Sequence, residues 1–262
     1  MGFSHYPLLI THYRFISMKI KRIEPVAVSL PMVKPVKMSF EEVRSANNAL
    51  MRIETDDGVA DPLADAERTR RICDVLGNGD MLICADANQG WSVEQAIAYV
   101  HAVEDTALEF FEQPVAGDDL EGMAAVARAS RIKIGADEGV HSIEDLRRHH
   151  EAGAACGASL KAIKLGGIKP VYEAARLCEQ LGMKVNLACK MAESGIATAA
   201  LLHLAAAVPS VDWGVSLTSQ YLTQDILKRP LAFADGHAEV PAGPGLGIEV
   251  DEAKVRRYAR EA

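Results

Sequence analysis

Five charged residues stand where short apolar runs end. Asp86 closes MLICA, Glu112 closes LEFF, Asp137 follows IKIGA, Lys161 lies inside ASLKAI, and Glu193 follows KVNLACKMA. The first four are about 25 residues apart, the length of one strand–helix unit with its two loops. That spacing puts one charged group at the C-terminal end of each of four successive buried strands, the end at which a parallel α/β barrel keeps its chemistry. Three carboxylates followed by a lysine suggest a divalent-metal site with a base beside it. Each residue alone also has a structural use, because a carboxylate just after a strand commonly caps the next helix. Glu112 fits that use least, since Glu is a poor N-cap and Gln113-Pro114 follow it. The regular repeat across four strands argues for a site.

The sequence between these groups supplies the scaffold. Strands are expected at 81–85, 108–112, 132–136, 158–163, 184–189 and 211–215, each short, continuous and apolar, as strands covered on both faces are. Helical stretches follow the first five: VEQAIAYVHAVED, LEGMAAVARAS, IEDLRRHHEAG, VYEAARLCEQLG and IATAALLHLAAAV. A helix in each crossover forces parallel pairing. Ahead of them, LADAERTRRICDVLG reads as an amphipathic helix with Leu63, Ile72, Val75 and Leu76 on its apolar side and Arg68, Arg70 and Arg71 on its wet side. The expected fold class is α/β: a (β/α) TIM-type barrel over 62–230, incomplete because six strands are readable. Residues 18–61 and 231–262 are expected to form a small α+β capping domain from both termini. IEPVAVSLPM, with Pro25 and Pro31, suits an edge strand, and ALMRIETDDG a strand running into an Asp-Gly turn. Residues 1–17 are expected to be a disordered or loosely attached extension. A six-stranded arc would leave two parallel edges open, which calls for a partner subunit or a rearranged N-terminus.

Composition narrows the function classes. The chain has 262 residues and a net charge of -8 with no basic cluster, which argues against nucleic acid. No apolar run reaches the 18 or so residues that span a bilayer, so no membrane is expected. The five cysteines are odd in number and show no CxxC, so Cys84 and Cys189 read as small core residues in a reducing, cytoplasmic setting. His149-His150 reads as a solvated helix end and His203 as a core or helix-interface residue. Trp91 either lines the pocket or finishes the strand. Gly166-Gly167 could bind a phosphate before the next helix, but a tight strand–helix turn is the commoner use of such a pair.

Taken together, DANQGW, FFEQPV, GADEGV, SLKAIKLGGI, CKMAESGIA and the C-terminal GPGLGIEVDE resemble the enolase superfamily, in its mandelate racemase/muconate lactonizing enzyme branch. The resemblance implies that Asp86, Glu112 and Asp137 bind Mg²⁺, with Mn²⁺ as an alternative. It implies that Lys161 is a general acid/base on one face of the substrate, and that Glu193 lies near the substrate at the seventh strand. Asn88, Glu138, Lys164 and Trp213 are expected beside the ligands or the substrate, Trp213 with Ser216 from the end of the last strand. By strand alternation Lys161 and Ile163 share a face, so Lys164 is expected to point outward or into the loop. The implied reaction removes the proton α to the carboxylate of a small acid through an enediolate, as in a lyase or isomerase.

The family pattern is interrupted in one place. ETDDGVA runs straight into DPLADAERTRR, where the resemblance calls for more of the cap and two barrel strands, the second bearing a Lys-x-Lys with the opposing base. The chain's own Lys19-Ile-Lys21 lies outside the barrel order. One base favours dehydration or cycloisomerisation over epimerisation. Two other readings stay open: a truncated, catalytically impaired metal-binding paralogue, and a Schiff-base aldolase using Lys161. A homo-oligomer is expected.

Overall fold

The computed structural model describes residues 20–37 and 42–55 by their backbone, and residues 61–76, 81–234 and 237–259. The extension expected over 1–17 and the Asp-Gly turn at 57–58 lie outside the described residues. Two long strands come first, β1 (Ile20–Lys37) and β2 (Glu42–Thr55), paired antiparallel. Helix α1 (Pro62–Leu76) follows. Strands and helices then alternate: β3 (Met81–Asp86), α2 (Val93–Val103), β4 (Leu108–Glu112), α3 (Leu120–Ala129), β5 (Lys133–Ala136), α4 (Ile143–Glu151) and β6 (Gly157–Leu160). A single turn α5 (Ala162–Leu165), α6 (Ile168–Leu181), β7 (Lys184–Ala188), α7 (Gly195–Ala207) and β8 (Val215–Ser216) complete the series. A short hairpin, β9 (Phe233–Ala234) and β10 (His237–Ala238), and α8 (Glu252–Tyr258) end the described chain.

Strands β3 to β8 form a parallel arc in sequence order, the incomplete barrel expected from six readable strands. Its open side at β3 is partly met by β2, which pairs in parallel at Asn47↔Met81 and Asn48↔Leu82. Strand β1 lies against β10, which brings the two ends of the described chain together. Among the described residues no helix is long and apolar enough to cross a membrane.

The arc has two packed faces because strand side chains alternate. On the outer face Phe111 meets Tyr99 and Trp91 under α2, with ring centroids 4.6 and 5.3 Å apart. On the inner face its neighbour Phe110 stacks on Trp213, with centroids 4.1 Å apart and planes 10° from parallel. The indole lies across β5 and β6, where a Cβ on Gly135 or Gly157 would come within 3.0 or 2.3 Å of its Cζ3. Helix starts are fixed locally. Ser92 and Gln95 close a capping box on α2, and Asp119 and Ser142 cap α3 and α4.

Several expectations need correction. On α1 the buried stripe is Pro62, Ala66, Thr69 and Cys73, while Leu63 and Val75 are 61% and 79% exposed. The stripe keeps the 4-3-4 spacing of one helix face, but its residues are small, and Thr69 bonds the Tyr99 hydroxyl on α2 at 2.8 Å. His149 is buried rather than solvated. Its Nδ1 bonds the Asp145 carbonyl at 2.8 Å, and burial lowers its pKa. Trp91 is packed behind the sheet. All five cysteines are free, with Cys84 half-buried and Cys189 buried.

Candidate active site

The three carboxylates arrive on adjacent strands. Asp86 ends β3 and pairs in register with Glu112, the last residue of β4; Glu112 pairs with Gly135 on β5, two residues before Asp137. Asp137 is 1% exposed. Its amide donates to Gln113 Oε1 at 2.8 Å, and Gly139 donates to the same oxygen at 3.1 Å. Gln113 is itself fully buried, gives its own Nε2 to the Val115 carbonyl at 2.9 Å, and adopts a φ of 32°. This side chain ties the end of β4 to the end of β5. Sequence reasoning passed over it, and the only local signal was an amide placed directly after a candidate ligand.

Asn88 holds Asp86 by two bonds, its amide to Oδ1 at 2.8 Å and its Nδ2 to Oδ2 at 2.7 Å, and reaches Glu138 Oε1 at 3.3 Å. Asn88 and Gln89 have φ values of 44° and 57°, a region non-glycine residues enter rarely, so the loop after β3 bends sharply to bring Asn88 back over Asp86. Behind Glu112 runs a polar chain. The Ser159 hydroxyl lowers the Glu112 pKa, Asn186 Nδ2 donates to Ser159 Oγ at 2.9 Å, and Ser216 Oγ donates to Asn186 Oδ1 at 3.3 Å. Ser159 was findable, because it lies two residues before Lys161 in the same apolar run.

Both lysines reach Asp137. Lys161 Nζ donates to Oδ2, and Lys164 Nζ donates to Oδ1 at 2.5 Å and to the Asp137 carbonyl. Lys164 therefore points into the site, contrary to the alternation argument. The strand stops at Leu160 instead of running to 163, Lys161 becomes the N-cap of α5, and residues three apart on a helical turn share a face. Ile163, expected on the Lys161 face, is 61% exposed.

The charges act strongly on one another. Burial, and then the charges of Asp86 and Asp137, lift the Glu112 carboxyl to about 8. Asp86 sits at the open rim yet is hemmed in by protein. Burial lifts it to about 6, with help from Glu138 and Asp137 and against the Asn88 amide. Burial pulls the Lys161 ammonium down, but Asp137, Glu112 and Asp86 together outweigh it and raise the pKa. For Lys164 burial prevails over Asp137, and the pKa falls.

The β7–β8 side is different. Glu193 follows Ala192, whose φ is 56°, and its amide donates to Thr218 Oγ1 at 3.2 Å. Its carboxylate lies against the Cys189 thiol, which burial and that charge push up to about 12. Trp213 does not stand at the end of the last strand. Strand β8 starts at Val215, so Trp213 precedes it, donates its amide to the Val185 carbonyl at 2.9 Å, and fills the floor of the arc at 3% exposure.

Comparison with known proteins bears on this arrangement. Residues 15–254 match the family model described as enolase C-terminal domain-like. The chain belongs to that family. Within the enolase superfamily it falls in the muconate-lactonizing-enzyme-like branch. It is 32% identical over 204 residues to muconate cycloisomerase 1 of Rhodococcus opacus, matching 78% of this chain and 54% of that protein. It is 34% identical over 201 residues to chloromuconate cycloisomerase of Cupriavidus pinatubonensis, matching 76% and 54%. The crystal structure of muconate cycloisomerase from Pseudomonas fluorescens superposes with a TM-score of 0.72 at 29% identity, covering 78% of this chain and 56% of that one. The chain thus spans about half the length of the relatives it matches.

Enolase-superfamily membership implies a divalent cation, and the donor set fits one in kind. Three carboxylates, hard oxygen donors of the kind such a cation takes, stand at the ends of adjacent strands. The upward shifts of Glu112 and Asp86 show carboxylates that a cation between them would relieve. Among the described residues no three His, Cys, Asp or Glu side chains close around one point. Both Asp137 oxygens are taken by ammonium groups, so loading the site requires a lysine to give way.

Proposed function

We propose that this chain carries the active site of an enolase-superfamily isomerase or lyase for a small carboxylic acid, with Mg²⁺ or Mn²⁺ as cofactor. The observation that carries the reading is Lys161 at the end of β6, paired with Asp137 and within the field of Glu112 and Asp86. Asp86, Glu112 and Asp137 would hold the ion, which when bound supplies the positive charge that acidifies the α-proton of a carboxylate. Lys161 moves that proton at one face. With the carboxylates bare it is held as the ammonium, ready to donate; accepting a proton requires their charge to be offset first. The same bias disfavours a Schiff-base role, which needs the neutral amine. Asn88 and Gln113 orient Asp86 and Asp137, and Glu193 would approach the substrate from the β7 side.

A single lysine acting on one face suits cycloisomerisation or dehydration, and relatives named as muconate and chloromuconate cycloisomerases favour the former, on an unsaturated dicarboxylate. The contact between β1 and β10 supports reading the two termini as one cap. The open edge of the arc at β8 supports a homo-oligomer, which sedimentation would reveal. The free cysteines support a reducing, cytoplasmic setting.

The test is Mn²⁺ titration followed by α-proton exchange of a lactone carboxylate in D₂O. One Mn²⁺ per chain, lost in Asp137→Asn, and exchange lost in Lys161→Ala are expected. Mn²⁺ uptake without exchange would leave an impaired metal-binding relative. No Mn²⁺ uptake would overturn the proposal.

A further inference from the structure

The two lysines on Asp137 are not equivalent. Lys164 holds two atoms of Asp137, the backbone carbonyl and Oδ1, whereas Lys161 holds Oδ2 alone. Among the described residues these two ammonium groups are the hydrogen-bond donors to the Asp137 carboxylate; Gln113 fixes only its amide. The backbone keeps the pair in place. The Lys164 amide donates to the Lys161 carbonyl at 3.1 Å, and α5 ends at Gly166 and Gly167, whose φ values of 91° and 132° close the turn.

They also stand on different sides of the carboxylate. The acidic groups acting on Lys161 are Asp137, Glu112 and Asp86, the whole ladder. Those acting on Lys164 are Asp137 and Glu138, and Lys164 in turn acts on the buried His149. Both ammonium groups thus belong to the mouth, Lys161 among its three carboxylates and Lys164 on the side of Asp137 nearer Glu138 and His149.

We infer that Lys164 is the positioning residue that fixes the Asp137 carboxylate, and that Lys161 is the ammonium free to leave it. This rests on the metal-site reading above. The division follows from the bonds each would lose. Lys161 leaves by breaking one contact and moves toward the open mouth. Lys164 would break two contacts, one of them to the backbone carbonyl. Its removal takes the donor from both Oδ1 and the carbonyl and so frees the carboxylate to turn.

Mn²⁺ binding to the full chain, followed by electron paramagnetic resonance, separates the two roles. Lys161→Met removes a competitor for Oδ2 and is expected to bind Mn²⁺ several-fold more tightly than the starting protein. Lys164→Met is expected to bind about 10-fold or more weakly, the usual cost of losing a group that orients a ligand, with a broadened spectrum from a less uniform coordination shell. Lys164→Arg keeps two donors and is expected to restore both affinity and line shape. If Lys164→Met does not fold, Lys164→Gln, with a neutral donor, carries the same comparison. Lys164 variants that bind as tightly as the starting protein or more tightly would overturn the inference while leaving the site itself intact. A starting protein that takes up no Mn²⁺ would overturn the function proposed above.

Discussion

The upper and lower ends of the inner face are built from the same strands on opposite principles. On β4, Phe110 and Glu112 are two residues apart; so are Gly135 on β5 and Asp137 just beyond its end. The lower residues bury apolar surface, with Phe110 stacked on Trp213 and two glycines making room for the indole. The upper residues crowd three carboxylates and two ammonium groups into one mouth. Burial of aromatic surface stabilises the fold. Like charges held together do the reverse, and such strain persists where function requires it. The floor thus holds the arc together while the mouth bears unfavourable charge.

The largest effect should come from the floor. Trp213→Ala removes the stacked ring and leaves a cavity between Phe110, Gly135 and Gly157, for a loss of about 3–5 kcal/mol in urea unfolding. Below its melting temperature the variant should still bind Mn²⁺; loss of binding in a folded variant would mean that the two ends are not separable.

The mouth should instead show itself in pH dependence. Glu112 titrates near 8 when folded, well above the ordinary carboxyl value, so the folded state binds its proton more tightly. Its contribution to stability is complete below the ordinary value of about 4.3, declines as pH rises, and is lost above about 8. On the order of a few kcal/mol is at stake. Urea unfolding in chelator between pH 5 and 9 should show this decline, and Glu112→Gln should flatten it. A slope unchanged in Glu112→Gln would place the cause elsewhere.

The smallest effect joins the two regions. Gln113→Ala leaves the Asp137 and Gly139 amides without their acceptor and should cost about 1–3 kcal/mol. It should also weaken Mn²⁺ binding about 10-fold, as loss of an orienting group does. A stability loss with unchanged affinity would make Gln113 part of the floor's architecture rather than the mouth's.

Much of the site was legible because strand period and repeat length are local. Asp86, Glu112 and Asp137 each follow an apolar run, and the runs did become adjacent strands. Ser159 was within reach of the same reasoning. Lys164 was misplaced because alternation was carried past Leu160, where the strand had already given way to a helical turn. Trp213 was misplaced because the strand was read across all of VDWGV, yet only Val215 and Ser216 pair with β7. On α1, Ile72 and Leu76 do pack against the core, but Leu63 and Val75 are exposed and small residues make the close approach to α2.

By itself, the sequence determined which charged groups end which strands, and in what order, because strand length and crossover helices follow from short-range pattern. Only the tertiary structure decided which lysine holds Asp137 and how, where the indole lies, and that Gln113 ties two strands together. Those outcomes depend on where hydrogen-bonded pairing with a neighbour stops, and the neighbour lies about 25 residues away in the chain.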